Sequence, residues 1–113
     1  MTDSLSQKRC RPCEGGIEPL DAYSSDTLLE QLHPEWQSSD ENRAIERSFK
    51  FANYYQTIAF VNAVAWIAHQ EDHHPDLRVG YNRCTVNYST HAIGGLSEND
   101  FICASKIDEL QPG

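Results

Sequence analysis

Between Tyr54 and Gln70, apolar residues recur at helical spacing, at Tyr54, Ile58, Val61, Ala65 and Ala68, with Phe60, Val64 and Ile67 widening the stripe. On either side of this segment the apolar period drops to two. That change of period constrains the chain more than any other feature. A helix of this length, rising ~1.5 Å per residue, spans about 25 Å and can cross a small sheet. Asn53, immediately before it, offers a side-chain acceptor to the unpaired amides of the first turn.

The flanking segments read as two hairpins. Before the helix, Trp36 to Ser39 and Ala44 to Phe51 form a pair around the polar turn Asp40 to Asn42. In the second strand Ile45, Phe49 and Phe51 alternate with Glu46, Ser48 and Lys50, and Arg47 interrupts the apolar face, where it must pair or snorkel. After Pro75, Leu77, Val79 and Tyr81 alternate with polar residues, Asn82-Arg83 turns the chain, and Cys84, Val86 and Tyr88 alternate with Thr85, Asn87 and Ser89. If that strand continues, His91 projects from its polar side.

Two more helices complete the pattern. Ser24 or Ser25 can cap a helix from Ser25 to Leu32, which His33-Pro34 ends. Gly94-Gly95 breaks the last strand. Leu96, Ser97, Asp100 and Phe101 then combine a capping box, with Asp in place of the usual Glu or Gln, and a hydrophobic staple at the start of a helix carrying Phe101, Ala104, Ile107 and Leu110. The order α-β-β-α-β-β-α builds an α+β domain: a four-stranded antiparallel sheet with helices packed on one face. Residues 1–20, polar and without an apolar period, read as a poorly structured N-terminal arm, and residues 21–113 as a single domain.

Seventeen acidic and nine basic residues give a formal charge of −8, which opposes direct nucleic-acid binding and attraction to an anionic membrane. No apolar run approaches a membrane span and no secretory leader is seen, so the expected location is cytoplasmic. Cys10, Cys13, Cys84 and Cys103 are scattered, and free thiols are expected. Cys10 and Cys13 supply only half of a tetrahedral zinc site, and no metal is expected.

The chemistry concentrates between His69 and Asp100. His73, His74 and His91, three of the chain's five histidines, fall within nineteen residues. Imidazole exchanges protons near neutral pH without retuning, so the cluster points to proton transfer. His73-His74 alone would serve as a solvated helix terminus, Asp100 as a cap, and Tyr81 as a packing residue. The array favours a site.

His69, His73-His74-Pro75, Tyr81, His91 and Asp100, at these spacings, resemble the signature of the pterin-4a-carbinolamine dehydratases, and the likeness runs from about Leu28 to Leu110. The resemblance implies the α+β fold above and an enzyme that removes water from 4a-hydroxytetrahydrobiopterin to give quinonoid dihydropterin, restoring the cofactor of aromatic amino acid hydroxylases. It implies no cofactor of the enzyme's own, a homodimer or homotetramer, and pterin contacts from Asp72, His73, His74, Ser89, Thr90 and His91. His73 and His91 would share the proton transfers with His74 positioning the ring; Glu71 and Asp72 could favour charged imidazoles. Where mammalian members commonly carry a carboxylate, this chain has His69. Two other functions fit the resemblance: a dimerisation partner of a transcription factor, which would survive loss of the histidines, and a pterin-binding protein of molybdenum-cofactor metabolism.

Overall fold

The computed structural model describes residues 4–11 and 18–110. Its elements are α1 (Ala22–Leu29), β1 (Gln37–Ser39), β2 (Ala44–Lys50), α2 (Tyr54–Glu71), β3 (Asp76–Val79), β4 (Arg83–Tyr88) and α3 (Glu98–Asp108), with 3-10 turns at Leu5–Gln7 and His91–Ile93. The four strands form one antiparallel sheet in the order β1-β2-β4-β3. The expected α+β fold and element order therefore stand. Both hairpins keep their partners adjacent, and α2 carries the chain from one hairpin to the other.

Register follows from the alternation. Ile45 pairs with Tyr88 and Phe49 with Cys84, so the buried residues of the two central strands share one face. Phe49, Phe60 and Phe51 pack in sequence with tilted rings, centroids 4.6 and 5.0 Å apart, and Trp36 meets Phe49 edge-on. Full burial of an aromatic of this size contributes about 1.5–3 kcal/mol. Arg47 lies on this apolar face yet is only 7% exposed. Its guanidinium sits 4.2 Å above the Phe49 ring and its Nη1 donates to Asp108 Oδ1 at 2.6 Å. Asp108 also accepts from Trp36 Nε1 and the His33 amide, so this carboxylate ties α3 to the first hairpin.

Several boundaries differ from expectation. Asp21, not Ser24 or Ser25, caps the first helix by accepting from the Ser24 amide, which moves the helix start three residues toward the N-terminus. The buried stripe of α2 is Thr57, Phe60, Val64 and Ala68, while Tyr54 and Ala65 face outward. The helix is apolar on more than one side, and the Phe49–Phe51 pair selects the Phe60 side. Tyr81 lies beyond β3, exposed, stacked on Tyr54. Leu110 lies past the end of α3 and is also exposed.

The N-terminal arm carries more structure than its composition suggests in the part described. Leu5 is 5% exposed and joins the core, Lys106 Nζ donates to the Ser6 carbonyl, and Cys10 packs against the same core. Cys13 lies outside the described residues.

Candidate active site

The site forms where three chain ends meet: the C-terminus of α2, the segment leaving β4, and the N-terminus of α3. Asp72 ends α2 in the left-handed region (φ 50°), a conformation that Asp adopts more readily than most residues. With Asp72 so placed, the His73 amide returns to the Ala68 carbonyl at 3.1 Å and the His73 side chain turns inward.

His73 is held from three directions. Its ring stacks on Tyr88, with centroids 5.3 Å apart and planes 12° from parallel. The Tyr88 hydroxyl donates to the His73 carbonyl at 3.2 Å. The third contact is the strongest: His73 Nε2 lies 2.6 Å from Asp100 Oδ1, and the Asp100 side chain is fully buried. Burial pulls the His73 pKa down, but the hydrogen bond and charge of Asp100 outweigh it, with Cys103 and Asp72 adding, so the imidazole titrates above its ordinary range.

Asp100 also performs the expected capping. Its Oδ2 accepts from the Ser97 amide at 2.9 Å and from Thr90 Oγ1 at 2.8 Å, completing the capping box at the start of α3. This second role escaped the sequence reading. The carboxylate that contacts His73 is Asp100, whereas Glu71 is bound by Arg9 and the Cys10 amide. The only sign in the sequence was the fixed position of Asp100 at the end of the histidine array.

β4 stops at Tyr88, so His91 is not on a strand as extrapolated. Thr90 bridges to Gly95, and His91 opens a 3-10 turn that closes on Gly94. Gly94, at φ +68°, takes the left-handed position this turn needs. Gly95 faces Pro19 so closely that an added Cβ would lie 2.7 Å from the Pro19 Cβ.

These elements line a cleft of about 540 Å³, a volume in the range of small-molecule sites. Asp72, His73, His74, Ser89, Thr90 and His91 all line it. His73 is largely buried at its base, while His74 and His91 are exposed. His69 is absent from the lining and stands exposed beside Trp66. Tyr81 also lies elsewhere. The sequence reading missed Cys10, Arg11 and Asn99, which complete one wall.

In this α+β fold a buried His-Asp pair and two further exposed imidazoles line one cleft, a set of groups of the kind that exchange protons near neutral pH. Comparison with known proteins specifies it: residues 18–110 match the family model for pterin 4 alpha carbinolamine dehydratase. The chain belongs to this family of hydro-lyases. A Nitrosomonas eutropha protein provisionally named pterin-4-alpha-carbinolamine dehydratase is 64% identical over 106 residues, covering 94% of this chain and 92% of its own. A Legionella pneumophila (strain Corby) protein with the same provisional name is 54% identical over 110 residues, covering 97% of both chains. The crystal structure of a Brucella melitensis transcriptional coactivator/pterin dehydratase superposes with a TM-score of 0.79 at 33% identity, covering 84% of this chain and 100% of that one.

Proposed function

We propose that this cleft dehydrates 4a-hydroxytetrahydrobiopterin to quinonoid dihydropterin, with His73 as acid and His91 as base. In that reaction the C4a–O bond breaks as the hydroxyl takes a proton and departs as water. The N5 lone pair forms the N5=C4a double bond, and N5 gives up its proton. One proton is supplied and one removed, so two imidazoles of opposite protonation suffice.

The observation that carries the reading is the buried His73–Asp100 pair at 2.6 Å, opening onto the same cleft as His74 and His91. Asp100 favours the imidazolium of His73, which then presents its other N–H to the leaving hydroxyl. His91, exposed in its 3-10 turn, takes the N5 proton, and His74 positions the ring with Asp72, Ser89 and Thr90. Proton transfer by a positioned side chain contributes about 10²–10⁴-fold.

The product would return, by reduction elsewhere, to an aromatic amino acid hydroxylase. We place the enzyme in the cytoplasm; no helix among the described residues is long and apolar enough to cross a membrane. It would act as a homodimer or homotetramer, for which exposed Tyr55 and Trp66 on α2 leave apolar surface.

The test generates 4a-hydroxytetrahydrobiopterin with an aromatic amino acid hydroxylase and follows its decay by ultraviolet absorbance. Wild type should accelerate the decay, and His73→Ala and His91→Ala, shown folded by circular dichroism, should lose most of that acceleration. Full turnover in both folded variants would refute the assignment of roles. No acceleration by the wild type would refute the dehydratase reading itself.

A further inference from the structure

The dehydratase reading uses groups from α2, β4 and α3, yet one wall of the cleft comes from the N-terminal arm. Cys10 and Arg11 line it, and the arm reaches that position through a set of anchors rather than by loose contact. The Cys10 amide donates to Glu71 Oε1 at 2.8 Å, and the Glu71 carboxylate is 5% exposed. Asn99 grips Arg11 in both directions: its Oδ1 accepts from the Arg11 amide at 3.0 Å, and its Nδ2 donates to the Arg11 carbonyl at 2.6 Å. Cys10 Sγ lies 3.5 Å from Cys103 Sγ. These anchors bind the amides of residues 10 and 11 and the Arg11 carbonyl, and none of them uses the Arg11 side chain.

The anchoring residues are the ones that flank the His73–Asp100 pair. Glu71 is the last residue of α2, two before His73, and Asn99 adjoins Asp100. The arm is therefore set at a fixed offset from the His73–Asp100 bond. The other cations nearby are engaged, Arg9 with Glu71 at 3.1 Å and Lys106 with the Ser6 carbonyl at 2.9 Å. Arg11 is an exposed residue lining the cleft, and among the described residues its guanidinium has neither an ion pair nor a hydrogen bond. A guanidinium carries five N–H donors and no acceptor, so what it binds must present acceptor atoms.

Resting on the dehydratase reading, we propose that Arg11 is a substrate-binding residue that donates hydrogen bonds to oxygen acceptors of the bound pterin, and that Asn99 positions it. The acceptors available on 4a-hydroxytetrahydrobiopterin are the ring carbonyl and the hydroxyls of its side chain. Arg11 stands apart from the proton transfers, so its contribution is to affinity.

The experiment compares wild type, Arg11→Ala, Arg11→Lys, Asn99→Ala and the Arg11→Ala/Asn99→Ala double variant on two substrates. These are the 4a-hydroxy forms of tetrahydrobiopterin and of 6-methyltetrahydropterin, which lacks the side-chain hydroxyls. Binding of a stable 7,8-dihydropterin, measured by calorimetry, gives a readout independent of turnover. Arg11→Ala should raise KM on the order of three- to tenfold while kcat stays within about twofold, as loss of an interaction equal in ground and transition states requires. Arg11→Lys should restore part of the loss. Asn99→Ala should raise KM in the wild-type background and add little to Arg11→Ala, because it acts through the same side chain.

An equal KM rise on both substrates identifies the ring carbonyl as acceptor; a rise confined to the biopterin substrate identifies the side chain. Unchanged KM and dihydropterin affinity in folded Arg11→Ala, beside an active wild type, would overturn the proposal and leave the dehydratase intact. An inactive wild type would instead sink the underlying function.

Discussion

Replacing Asp100 by Asn exchanges one oxygen for nitrogen and isolates what the charge does. The Ser97 amide can only donate, so the oxygen of the introduced carboxamide must occupy the Oδ2 place, 2.9 Å from Ser97 N and 2.8 Å from Thr90 Oγ1. Its NH₂ group then faces His73 Nε2 across the 2.6 Å contact. An N–H aimed at Nε2 requires that nitrogen to accept, which puts the ring's only proton on Nδ1 and opposes protonation. In wild type, burial lowers the His73 pKa and Asp100 more than restores it; in the variant burial is no longer countered by that charge, and the midpoint should fall below the ordinary 6.5. Because the wild-type midpoint is raised, the pair stabilises the fold fully below pH 6.5 and loses that contribution as pH rises through the folded midpoint. A charged hydrogen bond contributes about 1.5–3 kcal/mol. The variant should therefore show its greatest deficit in urea unfolding at about pH 5.5 and a smaller one at about pH 8.5. With the proposed acid lost, kcat should fall about 10²-fold or more. The decisive assay is NMR titration of the His73 ring in both proteins. A midpoint unmoved in folded Asp100→Asn, or turnover within about threefold of wild type, would refute the argument.

Other substitutions test other parts of the structure. Asp108→Ala removes the 2.6 Å partner of Arg47, 7% exposed, leaves it only Glu35 at 3.9 Å, and should cost about 3 kcal/mol in urea unfolding. Tyr88→Phe keeps the ring under His73 and removes the hydroxyl, with its bond to the His73 carbonyl and its contact with Cys103; a loss of about 0.5–1.5 kcal/mol is expected, with kcat changed far less than in Asp100→Asn. Gly95→Ala drives a Cβ to 2.7 Å from Pro19 beside the Thr90 bridge, and should lower stability by about 1–3 kcal/mol, measured by thermal unfolding.

Much of the fold was legible because each element carries its own period. The alternation in β2 and β4 predicts which residues face the core, and Ile45, Phe49, Cys84, Val86 and Tyr88 are buried as that alternation requires. The rotation of α2 was not legible, because apolar residues cover more than one of its faces and only packing on Phe49 and Phe51 chooses among them. The arm was obscure for a related reason: one Leu and one Cys give no period, yet each finds a place against α3. The histidine array announced the cleft. It did not announce that Asp100 binds His73, since twenty-seven residues separate them and the capping motif alone explains an Asp at that position.

That double use of Asp100 follows from where the site lies. His73 stands just beyond the C-terminus of α2, the negative end of its dipole, which favours an imidazolium. Asp100 stands in the first turn of α3, the positive end, which favours a carboxylate. The two helix ends thus support opposite charges 2.6 Å apart, and each charge offsets part of the other's burial. Because a carboxylate has two oxygens, one can satisfy the amide that starts α3 while the other holds the imidazole. Folding of α3 and orientation of the His73 imidazole are then one event. A substitution that frays the Ser97 cap should loosen His73 as well, even where it touches nothing in the cleft.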